Sequence, residues 1–157
     1  MIKYALALLL ALTMNAQAAS TGTLLLQGTV AASCNIAITP NGSNNTTLDI
    51  VNGESNKLVA AGVETCNNAT GYKINVKSDN AGELRHGVTP SLKTTYTLIY
   101  DGQSITPTTN YQQVKNVSVL NAPANTSSEI RVNVTALPNA MAGTYSDTVT
   151  VQIVANP

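Results

Sequence analysis

Alternation of apolar and polar residues with a period of two is the feature that most constrains the fold of this chain. Residues 72–77 and 130–135 show it most clearly, because an apolar side chain occupies every second position. Successive side chains of a strand point to opposite faces, so this pattern is typical of a half-buried strand. An amphipathic helix would need a period of 3.6 residues, which no segment shows. The chain is therefore predicted to be all-β.

About seven segments carry a strand pattern and are separated by turn residues such as Asn52-Gly53, Asp79–Gly82 and Asp101-Gly102. They are an extended stretch Thr23–Ile38, a short strand Leu48–Val51, and strands within Tyr72–Lys77, Tyr96–Tyr100, Val114–Leu120, Ile130–Thr135 and Tyr145–Val154. The segment Ser55–Glu64 is ambiguous. Many short strands in a chain of single-domain length predict one β-sandwich.

The first eighteen residues have the pattern of a secretory signal peptide. Lys3 supplies a positive charge, Ala5–Leu12 is an apolar run, and Ala16-Gln17-Ala18 is a small-x-small cleavage site. The apolar run is shorter than the roughly 20 residues that a membrane span needs. The mature chain is therefore expected to begin at Ala19 and to be exported.

Cys34 and Cys66 are the only two cysteines. An export signal with an even number of cysteines indicates an oxidising compartment and one disulfide between them.

The residue types that would support catalysis or a cofactor are scarce. A single histidine, His86, lies in a loop-like context where a solvent-facing side chain is expected. One histidine and two paired cysteines do not complete a usual zinc or copper site. Eight basic and eight acidic side chains balance without a basic patch, so no nucleic-acid partner is expected. We expect no catalytic, cofactor-binding or metal-binding residues, and no enzyme.

Asp147 is the one carboxylate whose position is unusual. It shares the parity of the apolar residues of the last predicted strand. It could lean inward near the start of that strand, although the pattern favours a solvated position beyond the edge of the core.

The segment Thr21–Val30, just before the first cysteine, has two different faces. In an extended conformation, Leu24, Leu26, Gly28 and Val30 share the even-numbered face, whereas the odd-numbered face is mostly polar. Such a strand can fill an apolar groove on a neighbouring molecule. The pattern alone equally allows it to be the first strand of the chain's own sandwich.

The run Gly22–Val30, followed closely by Cys34, resembles the N-terminus of chaperone–usher pilins. Subunits of type 1 and P pili carry an apolar-x-apolar-x-Gly-x-Val extension before a first cysteine, and the even-numbered face defined above matches it. Residues 142–151 are similar to the last strand of the archaic pilin and spore-coat-U-like branch of the same superfamily.

The resemblance implies an incomplete immunoglobulin-like β-sandwich that is completed by a donor strand from a neighbouring subunit. It implies a signal peptide at 1–18, a donor-strand extension at 19–29 and a pilin domain at 30–157. The donor residues would be Leu24, Leu26, Gly28 and Val30, and the last strand would line the receiving groove through Val149, Val151 and Ile153.

The resemblance also implies a function and a location. The chain would be a structural subunit of a fimbria that supports cell adhesion, exported through the periplasm to the cell surface. Its expected partners are pilin subunits, a periplasmic chaperone, an outer-membrane usher and, for an adhesive fimbria, a host receptor. The alternative is a one-domain adhesin or another exported β-sandwich binding module.

Overall fold

The computed structural model describes residues 20–157, so the predicted signal peptide lies outside the described residues. Residues 31–157 form one compact unit, and the segment that ends at Val30 is a separate unit. In this part of the chain there is no helix that could cross a membrane.

Ten strands lie in the described residues. They are β1 Cys34–Pro40, β2 Glu54–Cys66, β3 Tyr72–Ser78, β4 Glu83–His86, β5 Lys93–Tyr100, β6 Gln103–Ile105, β7 Gln112–Val117, β8 Ala124–Val134, β9 Tyr145–Ser146 and β10 Val149–Ala155.

The strands form two antiparallel sheets. The larger sheet has the order β1-β2-β8-β5-β4-β9, with β6 paired to β5, and the smaller sheet has the order β10-β3-β7. The predicted all-β sandwich is thus confirmed. β1 lies at one edge of the larger sheet and β10 at one edge of the smaller sheet, and these two edges define the site described below.

The core lies between the two sheets and contains no phenylalanine or tryptophan. Its buried apolar side chains come mainly from alternate positions of the strands at the centre of each sheet. They include Tyr72, Ile74 and Val76 of β3, Tyr96, Leu98 and Tyr100 of β5, and Ile130, Val132 and Val134 of β8. Burial of each such side chain contributes about 1.5–3 kcal/mol, so the alternation in the sequence translates directly into the packing of the sandwich.

Several strand boundaries differ from the predictions. Leu48–Val51 is not a strand but a loop that ends in a turn, β4 and β6 had not been predicted, and the last predicted strand is interrupted between β9 and β10. The ambiguous segment Ser55–Glu64 belongs to β2, whose pairing with β8 is interrupted by two register shifts. Such shifts turn side chains out of strict alternation, which explains why the sequence pattern was unclear there.

Cys34 and Cys66 form a disulfide. It joins the first residue of β1 to the last residue of β2, which are also paired in the sheet. Closing a loop of this length contributes about 3–4 kcal/mol in the chain-entropy account, so the disulfide holds the edge strand β1 at one end.

Candidate functional site: an open groove between two strand edges

A mainly apolar cavity of about 300 Å³ lies between the two sheets, on the side where β1 and β10 form the edges. We call it the groove. Its walls are mainly aliphatic, and Asn45, Tyr96 and Asp147 add polar groups. It is lined by Ile38, Pro40, Asn45, Leu48, Val59, Ala60, Leu84, Tyr96, Leu98, Ile130, Val132, Val134, Asp147, Val149 and Val151. A cavity of this size and composition can accept several aliphatic side chains.

The β10 wall of the groove is a strand with one unpaired edge. β10 pairs only with β3 among the described residues. The flanking bonds, from the Asp79 N–H to the Thr148 carbonyl and from the Asn156 N–H to the Gly71 carbonyl, fix the phase of the ladder. In this antiparallel phase, the even-numbered residues of β10 bond to β3 and the odd-numbered residues turn their N–H and C=O groups to the open edge.

The β1 wall is the counterpart of the β10 wall. β1 pairs only with β2 in the described part of the chain. Bonds from the Asn67 N–H to the Ser33 carbonyl and from the Asn41 N–H to the Val59 carbonyl show that the odd-numbered residues of β1 bond to β2. The backbone groups of Ile36 and Ile38 therefore point to the open edge. Ile38 is 42% exposed although it lines the groove.

The predicted groove-lining residues of the last strand are only half-buried. Val149 and Val151 line the groove, whereas Ile153 packs against the core outside the cavity. In the adjacent strand β3, by contrast, Ile74 and Val76 are 0% exposed. A sheet edge of this kind, with apolar side chains and unpaired backbone groups, is a template for another strand.

The predicted donor residues are highly exposed. Leu24, Leu26 and Val30 have more than four fifths of their surface accessible, and residues 20–30 have no regular secondary structure. A Cβ atom added at Gly28 would meet nothing within 4 Å. Their role as donor residues stays a prediction.

Asp147 leans inward at the end of the groove where β10 begins, contrary to the solvated position that the sequence favoured. Its Oδ2 accepts hydrogen bonds from the Tyr96 hydroxyl at 2.7 Å and from the Ser78 hydroxyl at 2.5 Å. Its Oδ1 accepts the backbone N–H groups of Asn80 at 3.0 Å and Thr148 at 2.7 Å. The carboxylate thus connects β5 of the larger sheet to β3 of the smaller sheet.

A second carboxylate that connects the sheets, Glu64, was not singled out from the sequence. It is fully buried. The hydroxyls of Tyr72 and Tyr100 each donate to it at 2.6 Å. The Ser128 hydroxyl donates at 2.7 Å, and the Lys115 ammonium lies 3.1 Å away. The only sequence signal was that Glu64 shares the parity of Cys66 on the same strand.

The titration of Glu64 follows from opposing effects. Burial alone would raise the pKa of the Glu64 carboxyl, but the hydrogen bonds from Tyr100, Tyr72, Ser128 and Lys115 together hold the pKa below its usual value. Burial and the neighbouring carboxylate raise the pKa of the Tyr72 hydroxyl. That hydroxyl therefore remains a protonated donor over the whole working range of pH.

His86 is buried, so the expectation of a solvent-facing histidine is wrong. It ends β4 and is 8% exposed. Its Nδ1 accepts the N–H groups of Val88 at 3.3 Å and Thr89 at 3.0 Å, which leaves Nε2 to donate to the Ala142 carbonyl at 3.1 Å. These bonds fix two loops to each other. No group of three metal-ligating side chains is assembled within residues 20–157.

No protein-family model matches the chain, and no curated protein matches it. Among solved structures, it is similar to HdaB, the minor tip subunit of the E. coli Hda pilus, with 13% identity over 76% of this chain and 79% of that chain at a TM-score of 0.41. It is also similar to a chain of a chaperone–tip adhesin complex of CFA/I fimbriae biogenesis, with 18% identity over 78% of this chain and 43% of that chain at a TM-score of 0.45.

Proposed function

We propose that this chain is a structural subunit of a surface fimbria that polymerises by donor-strand exchange along the chaperone–usher route. The observation that carries the proposal is the groove between two unpaired strand edges. The proposed occupant is the segment Thr21–Val30 of a second copy of the same chain, or of a homologous subunit.

The chemistry of the segment complements that of the groove. The groove offers apolar side chains from β10 and β1 together with unpaired N–H and C=O groups at both edges. A strand with apolar residues at every second position can contact the apolar side chains and pair with the free backbone groups at the same time, because its side chains enter the groove while its backbone bonds to the edges. Leu24, Leu26 and Val30 are largely exposed, and burying each would contribute about 1.5–3 kcal/mol.

Exchange between copies produces a filament rather than a closed dimer. Each subunit would give its N-terminal segment to one neighbour and receive a segment from another, so donor and groove are different surfaces. Such a heterologous contact propagates in one direction unless the rotation happens to close a ring.

An empty groove also explains the need for an assembly partner. An exposed apolar cavity beside unpaired strand edges favours aggregation. A periplasmic chaperone would cover the groove until an outer-membrane usher allows a segment to replace it. This route places the finished protein in a fimbria at the cell surface.

The test supplies the missing strand within one molecule. Residues 21–30 are fused after Pro157 through a short glycine–serine linker, in a chain whose own N-terminal segment has been removed. We expect a monomer with a higher denaturant midpoint than the same chain without the fused strand. The matched variants are Leu26→Asp and Leu25→Asp in the fused copy, because these neighbours have nearly equal exposure but opposite faces.

The two faces give opposite expectations. Leu26→Asp places a carboxylate in an apolar groove and should abolish the stabilisation, whereas Leu25→Asp should retain most of it. A stable monomer without any donor strand, or equal effects of the two substitutions, would overturn the proposal.

A further inference from the structure

The two ends of the sandwich are connected in different ways. At the end where β1 begins and β2 ends, the Cys34–Cys66 disulfide and the buried Glu64 hold the elements together. At the opposite end, where β10 begins, Asp147 lies in the wall of the groove. The carboxylate there connects the sheets through Tyr96 and Ser78. We call Asp147, Tyr96 and Ser78 the latch.

The latch has no free capacity to bind a ligand. A carboxylate accepts about four hydrogen bonds, and Asp147 already receives four from the protein. The Ser78 hydroxyl that donates to Asp147 also accepts the Gly82 N–H at 2.8 Å. The latch therefore acts through geometry rather than through direct contact with a polar ligand.

The partners of the carboxylate are themselves fixed. Tyr96 and Ser78 are 5% and 1% exposed. The Asp79 N–H also bonds to the Thr148 carbonyl at 3.0 Å, and the Asn80 side chain bonds to the Ser146 carbonyl at 3.3 Å, so the turn after β3 is held to the segment before β10 by further bonds. Since Tyr96 also lines the groove, the bond from its hydroxyl to Asp147 spans the gap between the sheets where the cavity ends.

We propose that the latch fixes the spacing of the two sheets at this end of the groove and so limits the size of the donor residue that is accepted there. Asp147 is in this sense a positioning residue for strand selection. The inference rests on the proposed function, because it concerns which strand the groove accepts.

The direction of the donor strand identifies the residues that meet the latch. A strand fused after Pro157 by a short linker returns antiparallel to β10. Its last inward-facing residues, Gly28 and Val30, then lie nearest to the start of β10 and to Asp147. Gly28 is the smaller of the two, so its size can be increased stepwise to test the space at this end of the groove.

The experiment combines a change in the size of the donor residue with the removal of one hydrogen bond of the latch. In the fused chain, Gly28 of the fused copy is replaced by alanine and by valine, each in three backgrounds: unchanged, Tyr96→Phe and Tyr72→Phe. Each tyrosine substitution removes one buried hydroxyl that donates to a carboxylate, at opposite ends of the sandwich. Both keep the ring, so all backgrounds are expected to fold. The readout is the denaturant midpoint of each protein.

The effect of donor-residue size shows whether the latch limits the space in the groove or only stabilises the fold. We expect Gly28→Val to lower the midpoint in the unchanged chain. In the Tyr96→Phe background, Gly28→Val should lower the midpoint by at most half as much as in the unchanged chain. In the Tyr72→Phe background, it should lower the midpoint by the same amount as in the unchanged chain. Each tyrosine substitution by itself should also lower the midpoint. If Gly28→Val lowers the midpoint equally in all three backgrounds, the proposed role of the latch is wrong and the proposed function is unaffected. If the fused strand gives no stabilisation in any background, both proposals are wrong.

Discussion

Protonation of Glu64 would disturb the hydrogen bonds that connect the two sheets. Glu64 is buried between the sheets, and its two oxygens accept bonds from side chains of both. A neutral carboxyl would turn one of these acceptors into a donor. Of its two ion pairs, the Lys115 ammonium would then keep the one with Asp101, at 2.8 Å. Burial of such a group is tolerable only while it stays ionised and fully bonded.

We therefore predict that the acid sensitivity of the fold depends on Glu64. Because the folded-state pKa of Glu64 lies below its ordinary value of 4.5, its ionised form stabilises the fold above that pH. This contribution is lost as the pH falls through the lower, folded-state pKa. Glu64→Gln should lower the free energy of unfolding by about 2–4 kcal/mol near pH 7. The difference from the unchanged chain should shrink towards pH 3.

The measurement is denaturant unfolding at several pH values, with Glu129→Gln as the matched control. The Glu129 side chain is 61% exposed and pairs with Arg131 at the surface, so its substitution should change stability little. A constant difference between Glu64→Gln and the unchanged chain from pH 7 to 3 would contradict the prediction.

Gly143 is required because of its contact with His86. Its φ of 152° is in a region that side chains rarely adopt, and an added Cβ would lie 2.1 Å from the His86 Nε2. We predict that Gly143→Ala lowers the free energy of unfolding by about 3 kcal/mol or more, because the buried ring must move and its bond to the Ala142 carbonyl is lost.

The control for this substitution is Gly102→Ala. Gly102 also has a positive φ, 83°, but an added Cβ would meet nothing within 4 Å. Only the backbone strain of about 1–2 kcal/mol should then appear. If the two alanine variants are equally destabilised in thermal or denaturant unfolding, the contact with His86 has no energetic role.

At the scale of elements, alternation predicted those strands whose side chains alternate between the core and the surface. β3, β5 and β8 follow the sequence pattern because each contributes every second side chain to the core. Leu48–Val51 also has a strand-like composition, but the carboxylate of Asp49 accepts both the backbone and the side-chain N–H of Asn52. Such local bonds compete with a sheet ladder, and the segment ends in a turn.

The first strand shows what a period of two cannot predict. Thr23–Ile38 has a continuous extended pattern, yet β1 begins at Cys34, where its ladder with β2 starts. Alternation indicates that a strand can bury one face. It does not indicate which strand, or which molecule, will cover that face.

The polar connections of the site were equally beyond the sequence pattern. Asp147 meets Tyr96 across a sequence separation of 51 residues, and Glu64 meets Ser128 across 64. These pairs come together only through the order of the strands in the two sheets, which alternation does not determine. The groove itself could be placed on the last strand only through the resemblance to pilins.

At the scale of the whole molecule, donor and acceptor surfaces should be separable. If the proposed function is correct, a second fused chain, which keeps its own N-terminal segment as well as the fused strand, would have a filled groove and could donate but not accept. The unfused variant Gly28→Trp would keep an open groove, but its own segment would carry a side chain that the proposed latch excludes. Each variant lacks one of the two surfaces that a head-to-tail contact requires.

We predict that neither variant forms filaments alone and that co-expression of the two yields a 1:1 heterodimer and nothing longer. The fused chain gives its N-terminal segment to the Gly28→Trp chain, which has no functional donor strand with which to continue. Light scattering after size exclusion measures the mass, and a different affinity tag on each chain establishes the composition. Leu25→Asp in the N-terminal segment of the fused chain should leave the heterodimer intact, because that residue is predicted to face away from the groove, whereas Leu26→Asp should abolish it. Filaments from Gly28→Trp alone, or heterodimers that tolerate both substitutions equally, would show that the subunits are joined by another surface.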